Sequence, residues 1–599
     1  MENKKQAIIL SGVAIVALLA LIIGATYAYF RASGNSGSNT DINVTTYTLD
    51  LLSFEMGSDI KINADQTSFA SGKGNATGST FAKAILTANN KTNTATKNYY
   101  MYLNISNNTF TYTQNENTPE LLLTITDVSG NAITSITGLT YKTVIDGKGT
   151  SVSGFDITTK SGLLTLFDNR EITASPTKTE EWNVTVTFVN YNVNQTGNAG
   201  KSFNAKLMIQ QEEYELTLAD ICAGKTLSDC VISQYTGTQG DNALYYHNST
   251  LTNGAGDNSY RYAGGDYVLT EAGKATGATM MIGYNNSVTT ALIDFYCNGT
   301  KQYVGYASSC STSHYYLIKG DTTQYQTYNE ALNASVEKGY LTKDNVKNFV
   351  CFGSDATTCP TENLYRIIGV FNNHVKLIKY DYAKSSLLGT DGDFSQEYTS
   401  NYFSGEQGES PSSNSLYYWN NDTKKNTWSE SNLNKVNLNT NFVNNIGTIW
   451  SNKIATTTWK VGGGTYANLR DAVPKTAYQY EVGSSASTTT YDAKIGLMYV
   501  SDYYYSASPS AWTLVGYNSD YTKSYASAKG ENWLYGGGWD WTISRSSGSS
   551  DFAFGVYYNG DVNYNIVNYY YGVRPSFSLL SSTTYVSGSG SMSDPVRIN

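Results

Sequence analysis

The six cysteines fall in three close pairs, Cys222/Cys230, Cys297/Cys310 and Cys351/Cys359, and no other feature restricts the accessible folds as tightly. Six cysteines formally allow fifteen pairings, of which we favour the nearest-neighbour set. Eight helical residues would separate Cys222 and Cys230 by about 12 Å, whereas a disulfide needs Cα atoms within about 7 Å. Gly224 must therefore break any helix between them. The rival reading is zinc. No pair has the two-to-four-residue spacing of a metal knuckle, and His247, His314 and His374 are scattered, so no metal is expected.

The N-terminus points to an oxidising compartment. Lys4 and Lys5 precede an apolar run from Ala7 to Ile23 and then "GATYAYF", the order of a charged region, a hydrophobic region and small residues in an export signal. The run through Phe30 also reaches the ~20 residues that span a bilayer, with its lysines inside. Residues 1–30 thus read as a signal peptide cleaved after Ala28 or as a retained membrane anchor. Both place the remainder outside the cell, where paired cysteines persist. The ending "SDPVRIN" shows neither a sorting motif nor a hydrophobic tail, so wall attachment there is not expected. With 599 residues the chain has room for several domains. Its net charge of −9 and lack of clustered Lys and Arg exclude nucleic acid as the expected partner.

Residues 31–212 read as short alternating strands: "VTTYTLDLLSF" from Val44, "YYMYLNIS" from Tyr99, "LLLTITDVSGNAITSI" from Leu121 and "EWNVTVTFVNY" from Glu181. Gly, Asn and Asp punctuate them, which suits an antiparallel β-sandwich. "GATYAYF", the strand near Val44 and the closing "SFNAKLMIQ" resemble the camelysin and TasA-like biofilm-fibre family, which implies an exported jelly roll able to self-associate. Camelysins have been classed as metalloproteases. This region has no histidine before His247 and no HExxH, so that activity is not carried over.

Residues 213–344 read as a disulfide-containing connector with helices. "YELTLADICAGKTLSDCVISQY" has helical spacing around the Gly224 break, and "NEALNASVEKGYLTKDNVKNF" reads as a helix, a Gly339 stop and a second short helix. In residues 345–599, "LYRIIGVFNNHVKLIKYDY" has two apolar strands around "FNNH", a hairpin with Ile367, Ile368, Val370, Val375 and Leu377 for its buried face. "GLMYVSDYYYSASPSAW", "NWLYGGGWDWTISR" and "YGVRPSFSLL" resemble the fold group shared by formylglycine-generating enzymes and C-type lectins, in versions on surface proteins of gut Firmicutes. That resemblance implies an α+β binding domain. There is no Cys after Cys359 for oxidase chemistry, and no EPN or QPD tripeptide for calcium-dependent sugar binding.

No catalytic motif stands out, and no enzyme is expected: G-x-S-x-G is missing, and His374 falls in a hairpin turn whose polarity already explains it. In "GTDGDFSQE", Asp391, Asp393 and Glu397 are the carboxylates a calcium loop would use, without full EF-hand spacing. The expectation is a solvated turn and no cofactor.

"VYYNGDVNYNIVNYYYGVRP" begins at Val556. A three-residue loop Tyr558-Asn559-Gly560 would pair Tyr557 with Asp561 and Val556 with Val562. Alternation then puts Phe552, Phe554, Val556, Val562, Tyr564 and Ile566 on a core face. Ala553, Gly555, Tyr557, Asp561, Asn563 and Asn565 take the other face, continued by Asn568, Tyr569, Tyr570 and Tyr571. A two-residue loop would mix the faces. Tyr supplies amphipathic area and Asn adaptable hydrogen bonds, so Tyr557, Asp561, Asn563, Asn565, Asn568, Tyr569, Tyr570 and Tyr571 are the expected ligand-binding residues. The stretch is also similar to the Tyr-, Asp- and Asn-rich positions of variable proteins from diversity-generating retroelements.

The sequence thus predicts a mainly β multidomain protein: a jelly-roll-type sandwich stalk, a short α-containing connector, and a C-type-lectin-like α+β domain. The expected role is an extracellular adhesin that binds host or bacterial surface glycans or proteins. The main alternative is a biofilm-matrix or fibre subunit associating through sandwich edges, and the last is a glycan-acting enzyme.

Overall fold

A computed structural model describes residues 50–63, 74–89, 94–214, 216–283, 287–302, 310, 313–343, 345–398 and 414–599. The export segment and the strand start at Val44 lie outside them. Among the described residues no helix is long and apolar enough to cross a membrane. The chain is mainly β and divides into two compact units, Met1–Leu216 and Thr217–Asn599.

Among the described residues the first unit holds ten strands: β1 (Leu51–Met56), β2 (Ile60–Asn63), β3 (Ala76–Thr87), β4 (Ala95–Asn108), β5 (Leu121–Asp127), β6 (Tyr141–Ile145), β7 (Ser151–Asp156), β8 (Gly162–Ala174), β9 (Thr177–Phe188) and β10 (Ser202–Gln210). They form two antiparallel sheets, ordered β1-β3-β9-β5-β7-β6 and β2-β10-β4-β8. Alternation decides which side chains meet. On β3 it is Ala82, Ala84 and Leu86 that are buried, on β4 Tyr99, Met101, Leu103 and Ile105, and on β10 Phe203, Ala205, Leu207 and Ile209, all in one core. Between strands, the Asp127 carboxylate accepts the Ser129 and Asn131 amides, each at 2.9 Å, and so fixes a turn.

The second unit is built on a sheet ordered Leu244–Tyr246, Tyr260–Tyr262, Leu364–Phe371, His374–Lys379, Ser576–Ser578 and Ile495–Gly496, with Phe349–Cys351 also paired to Leu364–Phe371. Part of the segment expected as a connector is therefore woven into the same sheet as the C-terminal strands. The "FNNH" hairpin is present: Phe371 pairs with His374, and Asn372 and Asn373 take φ of 48° and 63°. Two successive positive φ values are what a two-residue primed turn needs, and asparagine tolerates them. Both faces of its strands are covered, because Ile367 and Ile368 are neighbours and each is buried.

All three near-neighbour disulfides form, with Cα separations of 4.6 Å for Cys222–Cys230, 6.0 Å for Cys297–Cys310 and 5.8 Å for Cys351–Cys359. The first closes because helix Leu218–Cys222, started by a Thr217/Asp220 capping box, stops before Gly224. Gly224 has φ +74°, and Thr226 caps a second helix at Leu227–Ser233. The expected helix before Gly339 is Tyr328–Glu337. The short helix expected after it is not formed: Leu341–Thr342 is a strand on Val268–Leu269, and pairing takes up the backbone groups a helix would have used.

Candidate ligand-binding cleft

The strand His374–Lys379 is buried along its length from Val375, yet it carries two lysines, Lys376 at 7% and Lys379 at 3% exposure. Lysine is rarely buried without a partner. Their odd spacing sends the two side chains to opposite faces. Lys376 Nζ lies 2.5 Å from Asp502 Oδ2, with the Tyr499 and Trp459 ring centroids 4.7 and 5.3 Å away. Lys379 instead lines a cleft of about 560 Å³. Its cross-strand partner is Tyr365, whose ring centroid is 5.8 Å from Nζ. Burial lowers the Lys379 ammonium to about 8, against the pull of Asp381 and Glu362, which line the same cleft.

The "GVRP" motif builds the floor. Lys379 N–H donates to the Pro575 carbonyl at 2.9 Å and Ala383 N–H to the Val573 carbonyl at 2.8 Å. Gly572 is required by close approach, since a Cβ there would fall 2.2 Å from the Tyr382 ring, and one on Gly536 would fall 2.7 Å from the Tyr382 hydroxyl. Arg574 Nε donates to Asp540 Oδ2 at 2.6 Å and its Nη2 to the Leu534 carbonyl at 2.8 Å. Across the cleft, Arg366 clasps Asp266 through two 2.7 Å bonds, with Phe349 and Trp533 rings 4.2 and 4.7 Å away. Tyr535, also in the lining, donates its hydroxyl hydrogen to the Tyr558 carbonyl, and Tyr558 packs on Trp539 at 4.8 Å. The hairpin loop therefore braces a lining residue without lining the cleft itself.

That loop has the expected register. Tyr557 N–H donates to Asp561 O at 2.8 Å, Val556 pairs with Val562, Phe554 with Tyr564 and Phe552 with Ile566, and Gly560 has φ +89°. Phe554, Val556 and Val562 on the expected core face are buried, but the expected displayed face is largely covered as well. Ala553 is fully buried, whereas Ile566, assigned to the core, is 37% exposed. Gly555 explains the second covered face: a Cβ there would lie 3.2 Å from the Tyr571 ring, which fills the space the glycine leaves and packs on Trp541 at 4.3 Å.

The expected ligand-binding residues accordingly separate. Tyr571 and Asp561 are buried, at 1% and 2% exposure. Asp561 braces the loop by accepting from Asn559 Nδ2 at 2.8 Å and from the Ala526 amide at 3.3 Å. Tyr557 is half-buried, with its hydroxyl on the Tyr564 carbonyl at 3.0 Å. Asn565 Nδ2 donates to Tyr571 Oη at 2.9 Å, and Asn563 Oδ1 accepts the Tyr564 amide at 3.0 Å. Asn568 is half-buried. Tyr569 is 43% exposed and stacks on the half-buried Tyr570 at 5.0 Å. Of the eight expected residues Tyr569 alone is exposed.

The calcium-loop carboxylates do not converge either. Asp391 Oδ1 accepts from Asn441 at 2.6 Å, and Glu397 accepts from Ser415 Oγ at 2.8 Å. Asp393 is not on a solvated turn: it is 1% exposed and accepts the Asn421 and Leu433 amides at 2.8 Å each. Among the described residues no group of three His, Cys, Asp or Glu is arranged to hold a metal ion. Two further polar residues are structural. His247 Nδ1 accepts the Ala255 amide at 3.1 Å, and burial lowers its pKa. Glu481, raised by burial to about 7, accepts the Val500 and Ser501 amides at 3.0 and 2.8 Å and so caps helix Val500–Tyr505.

No family model matches the chain, and no curated protein matches it either. The cleft residues Lys379, Arg366, Asp266, Tyr382, Arg574 and Trp533 were not singled out by the sequence. The one local signal was the pair of lysines in the apolar run "VKLIK", Lys376 and Lys379, in a strand with no room for an exposed face.

Proposed function

We propose that this chain is an exported surface protein whose second unit binds a small polar ligand, of the sugar class, in the cleft beside Lys379, with the first unit as its stalk. The observation that carries this reading is the cleft itself: it is concave, of ligand size, and lined by aromatic faces interleaved with charged groups. Sugar rings pack on aromatic faces while their hydroxyls seek polar groups, and this lining supplies both. The disulfides support an oxidising compartment, and the resemblance of "WTISR" and "GVRP" to lectin-like surface domains points the same way. The proposed site differs from the one expected, since the eight expected residues do not line the cleft and the Tyr/Asn stretch contributes Arg574 alone. The test is a glycan array probed with the full chain, disulfides intact. Ser386→Trp, at an exposed position on the cleft lining, should abolish binding by occlusion, and Tyr569→Ala should leave most of it. Binding that ignores Ser386→Trp but vanishes with Tyr569→Ala would return the site to the hairpin.

A second reading, a fibre or matrix subunit, draws support from the first unit. Among the described residues β1 and β6 are the edges of the larger sheet, and they expose Leu51 at 55%, Met56 at 45% and Ile145 at 59%. Leu51→Lys with Ile145→Lys should then prevent any assembly seen by electron microscopy.

A further inference from the structure

Among the described residues the second unit buries six cations; Lys529, at 3% exposure, interacts with Asp561, and the other five share one device. Arg261, Arg366, Lys376, Lys379 and Arg574 are each at most 7% exposed, and each lies within 6 Å of at least one aromatic ring centroid. Four of the five are closed by a carboxylate: Arg261 by Asp257 at 2.6 Å, Arg366 by Asp266 at 2.7 Å, Lys376 by Asp502 at 2.5 Å and Arg574 by Asp540 at 2.6 Å. Lys379 is the exception. Its ammonium has the Tyr365 ring and no ion-pair or hydrogen-bond partner among the described residues.

A buried charge without its counter-charge is costly. Lys379 is not stranded in the core, however, because it lines the cleft. The charged groups that act on it, Asp381, Glu362 and Lys384, line the same cleft. The lining as a whole carries five basic residues and three carboxylates, and Asp540 behind Arg574 adds a fourth. One positive charge is left over.

We propose that the cleft binds an acidic sugar, and that the sugar's carboxylate takes the place at Lys379 that an aspartate takes at each of the other four cations. This rests on the reading of the cleft as the binding site and names its ligand class. A single unmatched cation suits a monoanionic carboxylate better than a phosphate dianion. The favoured source is a pyranose rather than a peptide terminus. Tyr365 sets an aromatic ring 5.8 Å from the ammonium, Trp533 and Tyr535 line the same cleft, and Asn333, Thr361 and Ser386 offer amide and hydroxyl groups for ring hydroxyls.

The experiment titrates the full chain, disulfides intact, with methyl glucuronide and the methyl glycoside of N-acetylneuraminic acid, each against its neutral methyl ester. A peptide with a free C-terminal carboxylate and its C-terminal amide form a third pair. A charged hydrogen bond contributes about 1.5–3 kcal/mol, so the acids should bind at least about tenfold more tightly than their esters. Lys379→Met should remove that preference and Lys379→Arg should retain it. Lys379→Met should also melt no lower than the native chain, because it takes away an uncompensated buried charge. A lysine serving only the fold would give the opposite shift. Equal binding of acid and ester, or a preference that survives Lys379→Met, overturns the proposal and leaves the cleft as a neutral-sugar site. Preference for the free-carboxylate peptide over the sugars overturns it in favour of a peptide ligand. If no sugar or peptide binds at all, the reading of the cleft as a binding site falls with it.

Discussion

The two units handle charge in opposite ways. Among the described residues of the first unit no Lys or Arg is buried, and its core consists of the inward residues of two antiparallel sheets. Its well-covered ion pairs, Lys142–Asp156 and Arg170–Glu180, keep their cations partly exposed, at 23% and 34%. The second unit buries five cations among aromatic rings and holds all three disulfides. A regular ladder satisfies its backbone from within, so the first unit needs only an apolar stripe on each strand. The second unit has many short strands and long connections, and it fastens these with side-chain bonds between distant segments and with short-range disulfides. The difference teaches where to look for function: of the five cations buried against rings, four are closed by carboxylates, and the one left open lies at the proposed site.

The contrast can be broken most directly at a clamp. Asp502→Ala strands Lys376 among its rings, and leaving one member of a buried pair should cost about 3–5 kcal/mol. Chemical denaturation followed by hydrogen exchange should localise the loss to Thr217–Asn599, with residues 50–214 unchanged. A loss below 1 kcal/mol, or one shared by both units, would remove the clamps as the source of stability. Reduction of the disulfides comes next. Removing each bridge should cost about 2–4 kcal/mol. Calorimetry should show the transition of the second unit moving down while that of the first stays in place.

Acidity sharpens the comparison because the two units respond with opposite sign. Glu481 is raised by burial from 4.5 to about 7 in the folded state. A raised folded pKa gives stability that is full below pH 4.5 and lost as pH climbs through 7. Asp156 is lowered: burial opposes the shift, but Lys142 and Thr158 outweigh it. Its contribution is present above pH 3.8 and lost as pH falls further. Melting curves between pH 3 and 7 should therefore show the second unit losing stability toward pH 7 and the first losing it toward pH 3. Glu481→Gln should flatten the first of these slopes, and an unchanged slope would dismiss Glu481 as its origin. The smallest effect is expected at Gly560. Its φ of +89° and the Lys529 Cβ that an added methyl would meet at 2.9 Å make Gly560→Ala cost about 1–2 kcal/mol. The loss should appear in thermal unfolding of the second unit, and a neutral result would mean that the loop relaxes to another turn.

Local rules were legible and held where local physics decides. The pairing of Cys222 with Cys230 followed from the reach of a short loop, and the break at Gly224 from helix geometry. The strands beginning near Tyr99 and Leu121 followed from alternation. The register at Gly560 followed from the need for a positive φ in a three-residue loop. The role of the hairpin's two faces did not follow, because parity says which side chains share a face and nothing about what covers it. Tyr571 covers Gly555 from a later strand, and that contact exists only once the chain has folded back.

The sequence by itself thus favoured the near-neighbour cysteine pairs and determined the alternating strands of the first unit and the turns with positive φ, since each is a property of residues a few positions apart. Only the tertiary structure decided which charges are matched. Asp266 and Arg366 are 100 positions apart, and Lys376 and Asp502 are 126 apart. Ion pairing depends on distance in space, and nothing within a strand such as "HVKLIK" records which of its two lysines will find a carboxylate.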